Sequence, residues 1–176
     1  MDLGLRGKIA LVAAASQGLG RAVAEELAVE GASLVLCARG ENKLNETCDT
    51  IREKTGAHII PVAGDLSITA DVERIVSEGV ERFGQIDILV TNTGGPPAAQ
   101  FENLSRENWD DATRGLLTSV LDLTRLVLPG MKERRWGRIL NITSIAAKQP
   151  VENLILSNSL RAAVTGFAKT LASEVA

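Results

Sequence analysis

Short apolar runs alternate along this chain with stretches in which apolar residues recur every three or four positions. The runs mark buried strands, and the recurring spacing marks one face of a helix. Residues 9–13, Ile-Ala-Leu-Val-Ala, read as a strand buried on both sides. Val23 and Leu27 mark the helix after it, which Gly31 stops. Residues 33–37 predict a second strand, and Leu44, Cys48 and Ile51 a second helix. Residues 59–62 predict a short third strand; Pro61 has no N–H to donate and belongs at a sheet edge. Val72, Ile75, Val76 and Phe83 line a third helix ended by Gly84. Residues 86–90 and 138–142 predict the fourth and fifth strands. Strands alternating with helices predict repeated βα units and a parallel sheet, an α/β fold.

The longest helical pattern begins near Glu107, with Ser105 placed to cap it. Leu116, Val120, Leu123 and Val127 line one face of it. Leu117, Leu121 and Leu128 form a second stripe, roughly a hundred degrees round the axis. Two apolar faces predict burial on two sides, one against the sheet and one against a partner subunit or more of this chain. Pro129-Gly130 predicts a kink or an end to this helix. A final helix is expected from about Leu156 to Ala176, with no glycine, asparagine or proline to stop it.

At 176 residues, 45% of them apolar and 23% charged, the chain suits one soluble domain, 1–176, with its own core. The net charge of −3 comes from interspersed acids and bases, so the charge pattern selects no nucleic acid. The longest apolar run, residues 9–15, is far short of a membrane span, and residues 1–6 carry no secretory pattern. Cys37 and Cys48 lack metal-ligand spacing and His58 is the sole histidine. These argue against a metal site and for reduced thiols in a cytoplasmic protein.

The first βα turn reads Ala13-Ala14-Ala15-Ser16-Gln17-Gly18-Leu19-Gly20. Glycines there let backbone approach a pyrophosphate, and the helix start supplies N–H groups and partial positive charge. About 20 residues further on, an acid would bind a ribose 2′-hydroxyl. Ala38 and Arg39 stand there instead. A guanidinium suits a 2′-phosphate, which predicts NADP over NAD. Asp65 and Leu66 follow the third strand, where Asp65 either meets a ligand or caps a helix. Asn92 and Gly94 stand at the carboxyl end of the fourth strand, where open α/β sheets bind ligands.

Across essentially the whole chain these motifs resemble the short-chain dehydrogenase/reductase family, and most generally its 3-oxoacyl-acyl-carrier-protein reductases. Gly18 and Gly20 match the last two glycines of the family's Thr-Gly-x-x-x-Gly-x-Gly, with Ala13 and Ala14 in place of the threonine and first glycine. The resemblance implies that Ala14, Ser16, Gln17, Gly18, Leu19 and Gly20 surround the cofactor's phosphates. It implies that Asp65 and Leu66 meet the adenine, and that Asn92 and Gly94 border the cofactor. It also implies a Rossmann-type doubly wound parallel sheet of about five strands in the order 3-2-1-4-5, with helices on both faces. The family continues with two further strands. Together with the unstopped last helix, this predicts a truncated chain with little or no reductase activity by itself.

The chain has no tyrosine. The family reduces carbonyls with a nicotinamide cofactor, and an asparagine, serine, tyrosine and lysine manage the proton and the developing alkoxide. By resemblance Ser144 stands for the serine. Counting back from Gly166 places the family's Tyr-x-x-x-Lys on Ser157 and Arg161, which share a helix face. Leu116 falls where the asparagine belongs. Ser144, Ser157 and Arg161 are the catalytic candidates on that basis. Lys148, Glu152 or a water on Ser157 are the candidates for proton delivery. The expected function is NADP-dependent reduction of a small carbonyl or acyl thioester, of the kind used in fatty acid biosynthesis. The expected assembly is a homodimer or homotetramer through the long helix 107–133 and the final helix. The alternative is a dinucleotide-binding or scaffolding protein that has lost the reaction.

Overall fold

The computed structural model describes residues 3–176. Its strands are β1 (Ile9–Val12), β2 (Ser33–Ala38), β3 (Ile59–Ala63), β4 (Ile88–Thr91) and β5 (Arg138–Asn141). Its helices are α1 (Gly18–Val29), α2 (Glu41–Thr55), α3 (Thr69–Phe83), α4 (Arg106–Thr113), α5 (Ser119–Glu133) and α6 (Ile155–Val175). All strand pairings are parallel, in the order β3-β2-β1-β4-β5. This is the doubly wound order expected of the chain.

Successive side chains of a strand point to opposite faces, so each apolar run feeds two layers. Ala10, Val12, Leu34 and Leu36 pack with Ala24 and Ala28 of α1 and with Leu44, Cys48 and Ile51 of α2. Leu11, Val35, Cys37 and Leu89 pack on the other face with Val72, Ile75 and Val76 of α3 and with Leu123, Val127 and Met131 of α5. Pro61 lies in the outer strand β3, where its missing N–H breaks no second ladder. At the other edge Leu140 of β5 is 50% exposed.

A third, smaller core forms from Ala112, Leu116, Leu156 and Leu160, with Trp109 and Leu117 against it. It fastens α6 to the start of the long helical stretch. Ser105 caps α4 in a capping box with Asn108, as its position predicts. A five-residue π-helical segment, Arg114–Thr118, then joins α4 to α5. Nothing in the apolar spacing announces that segment. Helix α5 passes through Pro129 to Glu133 instead of ending there. The missing proline N–H is outweighed by anchors beyond it: Met131 is 4% exposed, and Arg134 Nη2 donates to the Ile86 carbonyl at 2.8 Å. Among the described residues no helix is long and apolar enough to cross a membrane.

Candidate functional site

A cleft of about 770 Å³ opens at the carboxyl ends of the strands. That is where a parallel sheet with helices on both faces leaves room for a ligand. Ala14, Ser16, Gln17 and Gly18 form one wall, Arg39 and Gly40 a second, and Gly64 to Ser67 a third. Asn92 to Pro97 and part of the α4–α5 stretch close the other side.

The turn after β1 is held by its backbone. The Ala13 and Ala15 N–H groups donate to the Val90 and Cys37 carbonyls at 2.9 and 3.0 Å. Thr47 of α2, 2% exposed, donates its hydroxyl to the Ser16 carbonyl at 3.0 Å. Gly18 takes φ +59°, and Ala14 takes φ +49°, a left-handed torsion that its methyl disfavours. An alanine here is therefore strained rather than at ease. Gly20 leaves no such choice, because a Cβ there would sit 2.4 Å from the Ala14 carbonyl oxygen. Gly20 and Leu19 do not line the cleft; Gly20 lets α1 close up beneath the turn. Helix α1 has no side-chain cap and no acidic residue in its first turn. Its first N–H groups are thus left for an anion. Cys37 lies below, where burial pushes its thiol up to about 12 despite a hydrogen bond with the Ala14 backbone. It stays neutral and inert.

Arg39 lines the cleft and is exposed. Lys43, one turn into α2, donates its ammonium to Gln17 Oε1 near the same mouth. Lys43 does not itself line the cleft. Asp65 lines the cleft while its Oδ1 accepts from the Ser67 N–H and hydroxyl at 2.9 and 2.8 Å. Its own N–H donates to Asp71 Oδ2 at 2.8 Å. That bond and the Arg74 guanidinium hold the Asp71 carboxyl below its ordinary value of 3.8. Asn108 and Asp111 of α4 also line the cleft, and neither carried a sequence signal.

The reaction-end candidates are placed differently. Ser144, Ser157 and Arg161 are absent from the cleft wall. Ser144 is half-buried and its Oγ accepts from the Ala146 N–H at 3.1 Å, starting a short 3₁₀ turn. Ser157 and Arg161 are each 7% exposed. Arg161 Nη1 donates to the Ile142 carbonyl at 2.9 Å, and Nη2 to the Thr93 and Gly94 carbonyls at 3.3 and 3.4 Å. Leu116 does border the cleft, buried against the third core. Lys148 and Glu152 are exposed and do not line the cleft.

The cleft suits a dinucleotide on its own geometry: a tight turn, an uncapped helix start facing it, and a basic mouth. Comparison with known proteins gives the same direction. A family model described as short chain dehydrogenase matches residues 8–176. The chain is 34% identical over 174 residues to the 3-oxoacyl-acyl-carrier-protein reductases of Vibrio cholerae and of Escherichia coli, covering 99% of this chain and 70% of each relative. Among solved structures it is similar to L-sorbose reductase from Gluconobacter frateurii, solved with NADPH and L-sorbose, at 36% identity and a TM-score of 0.96. That match covers 99% of this chain and 66% of the other. It is also similar to a variant of actinorhodin polyketide ketoreductase solved with NADPH, at 36% identity and a TM-score of 0.91, over 96% of this chain and 65% of the other. The chain spans 62–70% of the length of the curated relatives it matches.

Proposed function

The chain belongs to the short-chain dehydrogenase family, and from that premise we propose that its cleft binds NADP(H) for the reduction of a carbonyl compound, in the manner of a 3-oxoacyl thioester reductase. One observation carries the proposal most: the turn after β1, Arg39 and the ends of β3 and β4 converge on one open cleft. Reduced nicotinamide would supply the hydride. The α1 start would receive the pyrophosphate, with Ser16, Gln17 and Gly18 around it. Arg39 would pair with the 2′-phosphate through charge-assisted hydrogen bonds, and this is the basis for NADP over NAD. Asp65 and Leu66 would border the adenine, and Asn92 and Gly94 the inner end. Ser144 would polarise the carbonyl oxygen and Ser157 would stand beside the proton path, although neither lines the cleft wall. The neighbours solved with NADPH support the cofactor, and the reductase relatives support the substrate class.

Self-association through α5 and α6 belongs to the same reading. Leu121, Leu128, Phe167 and Leu171 line an apolar groove between these helices. A second copy would cover it as a dimer or tetramer.

A second reading has its own observation. Ser144 and Arg161 hold backbone rather than facing the cleft, and no tyrosine is present. The chain would then bind the dinucleotide without turning it over. NADPH consumption with a panel of 3-oxoacyl thioesters, ketones and quinones separates the two. Turnover of one class, reduced by Ser144→Ala, is the expected result. NADPH binding with no substrate consumed would leave only the binding reading.

A further inference from the structure

Arg161 is the only buried cation among the described residues. Burial alone lowers its pKa, with no neighbouring carboxylate to offset it. A buried charge is costly unless hydrogen bonds compensate. Here the compensation is three backbone carbonyls on two separate segments, Ile142 after β5 and Thr93 and Gly94 after β4. Arg161 Nε and Thr93 Oγ1 remain buried without a partner. The same β4 segment is fastened again at its far end. The Ala99 N–H donates to the Asn153 carbonyl at 2.7 Å, and Ala99 pairs with Leu154 in a parallel bridge. Asn158 of α6 in turn pins Val151, with Nδ2 donating to the Val151 carbonyl at 2.9 Å. Between the two fastenings run Gly94, Gly95 and the stiff pair Pro96-Pro97, all on the cleft wall.

We propose that Arg161 is a positioning residue: its guanidinium clasps the Thr93–Gly94 turn to the end of β5, and so fixes the inner wall of the cleft without touching the ligand. The effect on cofactor binding rests on the cleft being the NADPH site. The planar fork matters, because Nη1 and Nη2 serve different segments and a compact ammonium replaces only one of them.

The test compares the wild-type chain with Arg161→Met and Arg161→Lys by amide hydrogen exchange without cofactor, then by NADPH titration. In both variants exchange across residues 92–99 and 142–147 should quicken, on the order of tenfold for one lost charge-assisted bond. Peptides from β1 and β2 should keep their protection. NADPH should bind more weakly by a similar factor, with Arg161→Lys only partly better than Arg161→Met. Unchanged exchange over 92–99 would overturn the clasp. Full recovery of exchange and affinity in Arg161→Lys would overturn it too, because charge alone would then suffice. Quickened exchange with wild-type NADPH affinity would refute the positioning role. If Arg161→Met does not fold, Arg161→Lys decides by the same readings. If the wild type binds no NADPH, the cofactor reading fails, and exchange still judges the clasp.

Discussion

The turn after β1 lines the cleft, whereas Ser144, Ser157 and Arg161, after β5 and on α6, lie outside its wall. At the first end the determinants are torsions and close approaches: Gly18 at φ +59°, Gly20 with no room for a methyl, and a helix start without a cap. At the second end the polar groups are absorbed by protein. Ser144 starts a turn, Arg161 ties three carbonyls, and Leu116 fills a small core. Binding a phosphate needs little beyond well-placed N–H groups and a cation. Moving a proton needs an acid or a relay held against the reacting atom. The chain has the first set in the open, and any second set lies behind the cleft wall.

The largest effect expected on this contrast comes from Gly20→Ala. The new methyl must displace the Ala14 carbonyl, so the backbone shifts, at a cost of about 1–3 kcal/mol. NADPH binding should be lost with it. Denaturant melting and cofactor titration check both, and wild-type binding would show that the turn after β1 does not hold the cofactor's phosphates.

Next in size is Arg39→Ala. It should weaken NADPH about tenfold to a hundredfold, the range for one charge-assisted bond, and leave NADH unchanged. An equal loss for both cofactors would mean that Arg39 does not read the 2′-phosphate. Ala14→Gly should act in the opposite direction. It relieves the φ +49° torsion but adds freedom to the unfolded chain, for a net gain of up to about 1 kcal/mol. A thermal melt would show it, and a lower melting temperature would contradict the strain.

The smallest effect concerns the Gly64–Ser67 wall. Asp71 has a folded pKa below its ordinary value of 3.8, so its contribution is complete above that pH. As pH falls through the ordinary and then the folded value, protonation removes the charge and weakens the bond from the Asp65 N–H. Exchange of the Asp65 amide should quicken below about pH 4 in wild type, relative to the general acid trend. In Asp71→Asn that extra acid dependence should be absent.

Most of the fold was legible because it rests on periodicity. Buried strands such as Leu34 to Cys37 carry no polar residue, and Gly84 ends α3 in the left-handed torsion that a glycine stop implies. The order of the strands came from family resemblance rather than from spacing. The ends of elements were less legible than their types. Helix α5 runs on through Pro129 to Glu133, and β4 starts at Ile88 although the Asp87 N–H still donates to the Ile9 carbonyl and its own carbonyl accepts from the Arg138 N–H. The tight turn after β1 was legible through Gly18 and Gly20, whose backbone meaning is local. Asn108, Asp111 and Thr47 were not, because they reach the cleft or its turn only through long-range packing. Arg161 was singled out by resemblance to the family's Tyr-x-x-x-Lys, but no motif says which carbonyls a guanidinium will meet.

Whether the open cleft holds NADP at the turn after β1 and Arg39 is decided by titrating the wild-type chain with NADPH and with NADH and following nicotinamide fluorescence. Saturable binding of both is expected, with NADPH the tighter. No binding of either, or NADH binding as tightly as NADPH, would contradict it.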